Sequence, residues 1–151
     1  IDIYASYHNN NENSILLLVG DGPLKKKMEE YAVSKVKDGS IIFLGRRSNI
    51  PQLLSAFDVF ILPSLFEGAP VSAIEAQFAG LPCLLSDTIT KSINATDCEY
   101  LSLNMSPEFW ARKIKMNTEF DGRLIKYKKM IDYGYDIQST AKELEEYYLS
   151  L

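Results

Sequence analysis

Residues 15–19, with the sequence ILLLV, form a short apolar run that ends at the glycine-rich turn GDGP of residues 20–23. Continuous rather than alternating apolar character is typical of strands that are covered on both faces, as in a parallel sheet. The same kind of run recurs along the chain, which predicts five strands in all. The other four runs lie at residues 41–44, 59–62, 83–85 and, more weakly, 100–103.

The segments between these runs carry the periodicity of helices. In residues 24–36, 50–57 and 71–79, apolar side chains recur every three to five residues, with polar side chains between them. Start and stop signals flank these segments, namely Pro23, Asn49 as a candidate cap, Pro70 and Gly80. The alternation predicts an α/β fold with a Rossmann-like, doubly wound parallel sheet and right-handed crossovers.

The last third of the chain changes to a purely helical pattern. Helices are predicted over 106–115 and 122–132, and a third is predicted after Asp136, whose carboxylate is a typical helix cap. We therefore expect one domain over the whole chain, residues 1–151. It would consist of a core at about 15–104 and an α-helical tail at about 106–151.

Composition argues against several classes of protein. The 151 residues are 46% hydrophobic and 24% charged, which suits a single globular domain. With 16 basic and 20 acidic residues the net charge is −4, and this disfavours nucleic acid as a partner, because such binding depends on neutralising phosphates. No apolar run approaches the roughly 18 residues of a membrane-spanning helix.

Residues that ligate metals or act as nucleophiles are sparse. Cys83 and Cys98 lack metal-ligand spacing, and the apolar run around Cys83 predicts a buried, reduced thiol. His8 is the only histidine, which argues against a histidine-based metal site or catalytic triad, and we predict no metal. The chain opens without Met or a signal region, so we expect a fragment of a longer cytoplasmic protein.

Polar and glycine-rich turns follow the predicted strands. Ligands bind beyond the carboxyl ends of the strands in open α/β sheets, so these turns form the candidate site. The GDG of residues 20–22 is not a complete dinucleotide fingerprint, because Leu24 and Lys25 fill the place of the third glycine, and the alternative is an ordinary strand-to-helix turn. Arg46 and Arg47 follow Gly45, and they either pair with a phosphate or with Glu67, or lie in a solvated turn.

Residues 63–75, PSLFEGAPVSAIE, form the most informative of these turns. A strand ends there, Gly68 leaves the backbone bare, and a helix starts near Pro70. The first amides of a helix have no internal partners and can bind a diphosphate. Glu67 and Glu75 then either accept hydrogen bonds from sugar and ribose hydroxyls beside the phosphates, or cap the helix dipole and face solvent.

Several blocks of this sequence, taken together, resemble a known family. They are similar, in order, to the group-one glycosyltransferases, which are retaining, nucleotide-sugar-dependent enzymes of the GT-B fold, classed as family four. Glu67 and Glu75, with seven residues between them, match the E-x7-E signature of that family. The similarity is greatest to enzymes that build capsular or extracellular polysaccharide. The blocks are LLVGDGP at 17–23, FLG at 43–45, DVFILPS at 58–64, FEGAP at 66–70, EA at 75–76 and AGLP at 79–82.

The resemblance implies that the chain is the C-terminal, donor-binding half of a two-domain enzyme. It implies that Glu67 contacts the donor sugar as the catalytic residue and that Glu75 holds the ribose. The amides of residues 68–72 would hold the diphosphate, and residues 43–46 would line the base pocket. The implied donor-site residues are Gly20, Phe43, Gly45, Arg46, Glu67, Gly68, Ala69, Pro70, Val71, Ser72 and Glu75.

The implied partners follow from the same resemblance. The donor would be a nucleoside diphosphate sugar, with a UDP-sugar expected, and no further cofactor is implied. A saccharide or lipid-linked acceptor would be bound through the N-terminal domain, which lies outside this chain. We expect a cytoplasmic location with peripheral contact at the inner face of the membrane.

The sequence departs from the family in three places. The first strand of the family's domain, whose Arg and Lys usually clamp the donor phosphates, lies outside the chain, and Arg46 and Arg47 do not match those positions. Ala69 replaces a larger residue, and residues 88–92 lack the glycines that often contact the donor. Two alternatives stay open: a nucleotide-sugar 2-epimerase domain and a non-catalytic nucleotide-sugar-binding module.

Overall fold

The computed structural model of the chain describes residues 1–118 and 123–151. Strands alternate with helices up to β5, and the described residues after it are helical. The strands are β1 (Leu16–Val19), β2 (Ile41–Gly45), β3 (Phe60–Leu62), β4 (Cys83–Ser86) and β5 (Glu99–Leu101). The helices are α1 (Asp2–His8), α2 (Lys25–Lys35), α3 (Ile50–Ala56), α4 (Val71–Phe78), α5 (Pro107–Thr118), α6 (Arg123–Met130) and α7 (Ile137–Leu149).

The five predicted strands are all present, and every strand pair is parallel. This confirms the α/β prediction, but the strands form two ladders, β1-β2 and β3-β4-β5, instead of one continuous sheet. Among the described residues, β1 pairs only with β2, and β3 pairs only with β4. Each of these two strands therefore keeps one edge without backbone partners, which is why the predicted sheet is interrupted.

The β3-β4-β5 sheet is covered on both faces by helices. Successive side chains of a strand point to opposite faces, and here Leu85 of β4 packs with α3 and α4 while Leu84 packs with α5. β4 is buried along its whole length, as its continuous apolar sequence predicts. β1, β2 and β3 contain no fully buried residue and β5 contains one, so full burial is confirmed for β4 alone.

Helix α1 lies against both α2 and α5. Asp2 pairs with Lys35 of α2 at 2.9 Å, and Ile3 joins the apolar cluster that α5 forms with the second sheet. His8, at the end of α1, donates from Nε2 to Asp38 Oδ2 at 2.6 Å and is almost fully buried. The only histidine therefore has a structural role, holding α1 to the loop before β2.

The helix ends agree with the predicted signals except at one position. Gly80 ends α4 with a φ of 74°, and Asp136 caps α7 by accepting a hydrogen bond from the Ser139 amide at 2.9 Å. Asn49 precedes α3 but makes no capping bond, because its side chain accepts from Arg47 Nε instead. The helix predicted over 122–132 corresponds to α6, and its first residue, Gly122, lies outside the described residues.

Candidate functional site

The carboxyl ends of β1 and β2 meet at two glycines. The Gly20 amide donates to the Gly45 carbonyl at 2.8 Å, and both residues have positive φ angles, 131° and 64°. A side chain at Gly45 would lie 3.7 Å from Lys25 Nζ, so the ammonium group of Lys25 stands beside this turn. Arg46 follows in an exposed position, with no hydrogen bond or ion pair to the described residues.

Glu67 is held in the loop between β3 and α4. Its backbone forms an isolated parallel bridge with Ile89, which follows β4. Its carboxylate Oε1 accepts a hydrogen bond from Ser64 Oγ at 3.2 Å, and the residue is half-buried. Helix α4 has no side-chain cap, so the Glu67 carboxylate makes no capping hydrogen bond to this helix.

Two hydroxyl groups at the end of β4 hold this loop in place by hydrogen bonds. Ser86 Oγ and Thr88 Oγ1 both donate to the carbonyl of Ser64, at 2.5 and 2.8 Å. The sequence pattern gives no individual role to Ser64, Ser86 or Thr88. The signal that could have found them is that hydroxyl side chains lie at or just after the ends of β3 and β4, which are neighbours in the sheet.

The N-terminus of α4 is open. The Pro70 carbonyl accepts from the amides of Ala73 and Ile74, which begins the helical pattern. The amides of Val71 and Ser72 have no partner among the described residues, and both residues are exposed. Unpaired amides at a helix N-terminus carry partial positive charge and suit an anionic ligand.

The two glutamates of the E-x7-E pattern lie on either side of this open helix end. Glu67 precedes it in the loop, whereas Glu75 is exposed on α4, one turn after Val71. Gly68 and Ala69 are exposed between them, and Pro70 is buried. The structure therefore brings the predicted residues from 67 to 75 together around one helix terminus.

The remaining predicted residues form a separate group. Gly20, Gly45 and Arg46 lie at the end of the β1-β2 ladder, and Phe43 is half-buried within β2 opposite Leu18. Among residues 1–118 and 123–151, no hydrogen bond or salt bridge joins this group to Glu67 or to the start of α4. A bound ligand would have to bridge the two groups.

A buried amide supports α4 from behind. Gln77 is fully buried, and its Oε1 accepts from the amides of Ala95 and Thr96 at 3.0 and 3.1 Å. Its Nε2 donates to the carbonyls of Ala73 and Ile93. The residue ties the site helix to the loop before β5, and the sequence pattern does not reveal it, because glutamine is ordinarily a surface residue.

Two surface cavities lie away from the helix terminus. One of about 300 Å³ lies between α1, α2 and α5, and another of about 260 Å³ lies beside α2 and includes Phe43. Within the described ranges, no three His, Cys, Asp or Glu side chains are grouped to hold a metal ion. Nor does the described part of the chain contain a helix long and apolar enough to cross a membrane.

The parallel strands, the crossover helices and the open terminus of α4 define a Rossmann-like domain suited to a phosphate-bearing ligand. Comparison with known proteins identifies the family. The model of the family "Glycosyl transferases group 1" matches residues 2–116, and the chain belongs to this family.

Individual relatives agree with this membership. EpsF of Bacillus subtilis (strain 168), named as a glycosyltransferase, is 37% identical over 137 residues, which cover 88% of this chain and 36% of EpsF. The UDP-Gal:alpha-D-GlcNAc-diphosphoundecaprenol alpha-1,3-galactosyltransferase of Escherichia coli is 38% identical over 63% of this chain and 24% of its own length. The family model and both names give the epimerase alternative no support.

A solved structure shows the same fold. HepE of Anabaena, in complex with UDP-glucose, superposes with a TM-score of 0.72 at 18% identity over 99% of this chain and 44% of HepE. The part of EpsF that this chain matches is about a third of the length of EpsF.

Proposed function

We propose that this chain is the donor-binding domain of a retaining glycosyltransferase that moves a sugar from a nucleoside diphosphate sugar to an acceptor hydroxyl. The observation that carries the proposal is the uncapped N-terminus of α4, flanked by Glu67 and Glu75. An anion seated there has carboxylates on both sides, and these can accept hydrogen bonds from hydroxyl groups attached to it.

Each group at the site has a distinct role in this proposal. The amides of Val71 and Ser72, with the bare backbone at Gly68, hold the diphosphate. Glu75 accepts hydrogen bonds from the ribose, and Glu67, which Ser64 orients, accepts from the donor sugar. Oriented amides stabilise the charge that develops on the departing diphosphate, which lowers the barrier to cleavage of the glycosidic bond.

The β1-β2 end would receive the base. The backbone groups of Gly20, Gly45 and Arg46 can read a base edge, and Lys25 Nζ stands beside Gly45. Phe43 lies in the adjoining strand β2 and would line the same pocket. We expect uridine as the nucleoside, because the names of the E. coli relative and of the Anabaena complex both contain UDP. The acceptor is a saccharide or a lipid-linked saccharide, and the name of the E. coli relative contains such an acceptor.

Further polypeptide would complete the enzyme. The unpaired edges of β1 and β3 are each suited to pairing with another parallel strand, and the chain matches about a third of EpsF. We infer that an acceptor-binding domain belongs to the same protein. We place the protein in the cytoplasm, in peripheral contact with the inner face of the membrane when the acceptor is lipid-linked.

Titration calorimetry of the chain with UDP, GDP and ADP and their sugars tests the donor assignment. We expect UDP compounds to bind and Glu75→Gln to weaken UDP by about 1.5–3 kcal/mol, the contribution of a hydrogen bond to a charged group. Glu30→Gln, an exposed glutamate of α2, is the matched control and should bind as the unmodified chain does. The proposal fails if no nucleotide binds, and the ribose role fails if Glu75→Gln leaves the affinity unchanged.

A second variant separates sugar contact from nucleotide contact. Glu67→Ala in the longer enzyme should reduce turnover far more than it reduces UDP affinity, because Glu67 contacts the sugar where charge develops. Loss of UDP affinity with unchanged turnover per bound donor would contradict this assignment.

A further inference from the structure

Two buried thiols face each other across the second sheet, and the proposed function uses neither. Cys83 begins β4, and Cys98 directly precedes β5. Because Leu84 is paired with Glu99, the preceding pair in the same register is Cys83 and Cys98. Both cysteines are free, buried and part of one apolar cluster, so their side chains lie on the same face of the sheet.

This placement fits the geometry of a disulfide. Neighbouring strands lie about 4.7–4.9 Å apart, and disulfides join Cα atoms that are about 4.4–6.8 Å apart. The Cys83 thiol donates to the carbonyl of Leu81 at 3.5 Å, a weak hydrogen bond that rotation of this side chain would break. Because the two cysteines are register neighbours on one face, closing the disulfide requires rotation of two side chains at the end of the ladder and no rearrangement of the strands.

The surroundings give the two sulfur atoms different chemistry. The pKa of Cys98 is lowered, first by the hydrogen bond from Cys83 and then by Thr96 and the ammonium group of Lys126. The pKa of Cys83 is raised well above its usual value, by the same hydrogen bond and by burial. Cys98 therefore ionises first, and Cys83 stays protonated beside it.

We propose that Cys83 and Cys98 are a redox-sensitive pair that closes into a disulfide when a peroxide reaches Cys98. The Cys98 thiolate attacks one peroxide oxygen, the O–O bond breaks, and the departing hydroxide takes a proton to become water. The sulfur of Cys83 then displaces hydroxide from the resulting sulfenic acid, and its proton completes a second water. Two thiols have lost two electrons and two protons, and hydrogen peroxide has become two waters.

The disulfide between Cys83 and Cys98 would constrain the segment that supports Glu67. It closes residues 83–98 into a loop, and this loop includes Ser86, which donates to Ser64, and Ile89, which bridges to Glu67. A cross-link constrains the unfolded chain and so stabilises the fold when the native geometry accommodates it. Oxidation is thus expected to stabilise this part of the domain, and the inference does not depend on the identity of the donor.

Treatment of the folded chain with hydrogen peroxide tests the proposal directly. We expect the intact mass to fall by two hydrogen atoms, a peptide linking Cys83 to Cys98 after digestion without reductant, and a higher urea midpoint that dithiothreitol reverses. Oxidation that gives only intermolecular dimers or higher acids on separate cysteines would overturn the proposal. An oxidised chain with an equal or lower urea midpoint would show that the link does not fit the folded ladder.

Single substitutions test the assignment of roles. Cys83→Ser leaves Cys98 without a resolving thiol, so peroxide should produce a sulfenic acid that dimedone traps. Cys98→Ser is the matched control, and its remaining Cys83 should be labelled at least tenfold more slowly. Equal labelling of the two variants would contradict the assignment of Cys98 as the attacking thiol, and the measurements on the unmodified chain decide the proposal even when a variant fails to fold.

Discussion

Individual polar groups position the site loop more than its apolar residues do. Leu65 and Phe66, in the middle of the loop, are more than four-fifths exposed. The loop instead relies on the Ser64 carbonyl, which two hydroxyls of the β4 end hold, and on the bridge at Glu67. Hydrogen bonds are directional, so they orient the Glu67 carboxylate in a way that apolar packing alone would not.

Gln77 gives a prediction about buried polar groups. Gln77→Leu leaves the buried amide of Thr96 without an acceptor, whereas the Ala95 amide keeps its hydrogen bond to the Ile93 carbonyl at 3.0 Å. One such loss costs about 1–3 kcal/mol, so we expect the free energy of unfolding in urea to fall by about that amount. Gln52→Leu, an exposed glutamine on α3, is the matched control and should change it by less than about 0.5 kcal/mol. Equal effects of the two substitutions would contradict this role.

Gly80 gives a prediction about close packing. A Cβ atom there would lie 2.5 Å from Arg123 Cα of α6, and the φ of Gly80 is 74°. Gly39 has a similar φ of 81° but open space around it. Gly39→Ala should thus cost about 1–2 kcal/mol from backbone strain, and Gly80→Ala about 1–3 kcal/mol more from the clash. Urea unfolding of the two variants measures the difference. Equal losses of unfolding free energy would show that α6 can shift away from the added methyl group at no cost in stability.

Among the helices and strands, sequence periodicity predicts where each element lies better than it predicts how the strands pair. The strands and the central helices were predictable because apolar runs and helical stripes reflect local burial. The interruption between β1 and β3 was not, because edge pairing depends on what lies beside a strand and not on its own residues. Asn49 illustrates the same limit at a helix end, since Arg47 occupies the side chain that would otherwise cap α3.

In the candidate site, too, residues that are neighbours in sequence were predictable, whereas residues brought together by the fold were not. The residues from 67 to 75 follow one another along the chain, so sequence alone predicted their grouping at the start of α4. Ser86 and Thr88 reach the same loop only because β3 and β4 are adjacent in the sheet. Gln77 was equally hidden, since its partners at 93–96 follow it by sixteen residues or more.

The contact between α1 and the loop before β2 predicts sensitivity to acid. Asp38 accepts from His8 and from the Ser40 amide, at 2.6 and 2.9 Å. Interactions with Ser40, followed by those with His8, lower the pKa of Asp38 to about 2. Because the folded-state pKa lies below the unfolded value, this contribution to stability is complete above about pH 4 and is lost as the pH falls through about 2.

Asp38→Asn tests this contribution, because the amide retains an oxygen acceptor but cannot titrate. We expect the urea midpoint of the unmodified chain to fall more steeply between about pH 4 and pH 2 than that of the variant. Asp58→Asn, at an exposed position, is the control and should follow the unmodified chain. The same acid dependence in Asp38→Asn and the unmodified chain would contradict the role of this pair.

For the whole molecule, several surfaces lack partners within the described residues. The edges of β1 and β3 are unpaired, and no residue of α7 is buried. The large apolar side chains of α7 face solvent, with Ile137 at 76% and Tyr148 at 65% exposure. Together with the open terminus of α4, these surfaces support the proposal that further polypeptide completes the enzyme.

The separation of donor binding from transfer follows from that proposal. Holding two reactants in a near-attack geometry contributes about 7–11 kcal/mol to lowering a barrier, and in this proposal the acceptor-binding domain supplies the part of the site that holds the acceptor. We expect residues 1–151 to bind a UDP-sugar and at most to hydrolyse it slowly with water. A labelled UDP-sugar, incubated with a polysaccharide or lipid-linked acceptor, compares this chain with a polypeptide extended to the length of its relatives. Acceptor glycosylation by the 151 residues at a rate near that of the longer protein would show that the α4 terminus and its two glutamates suffice for transfer.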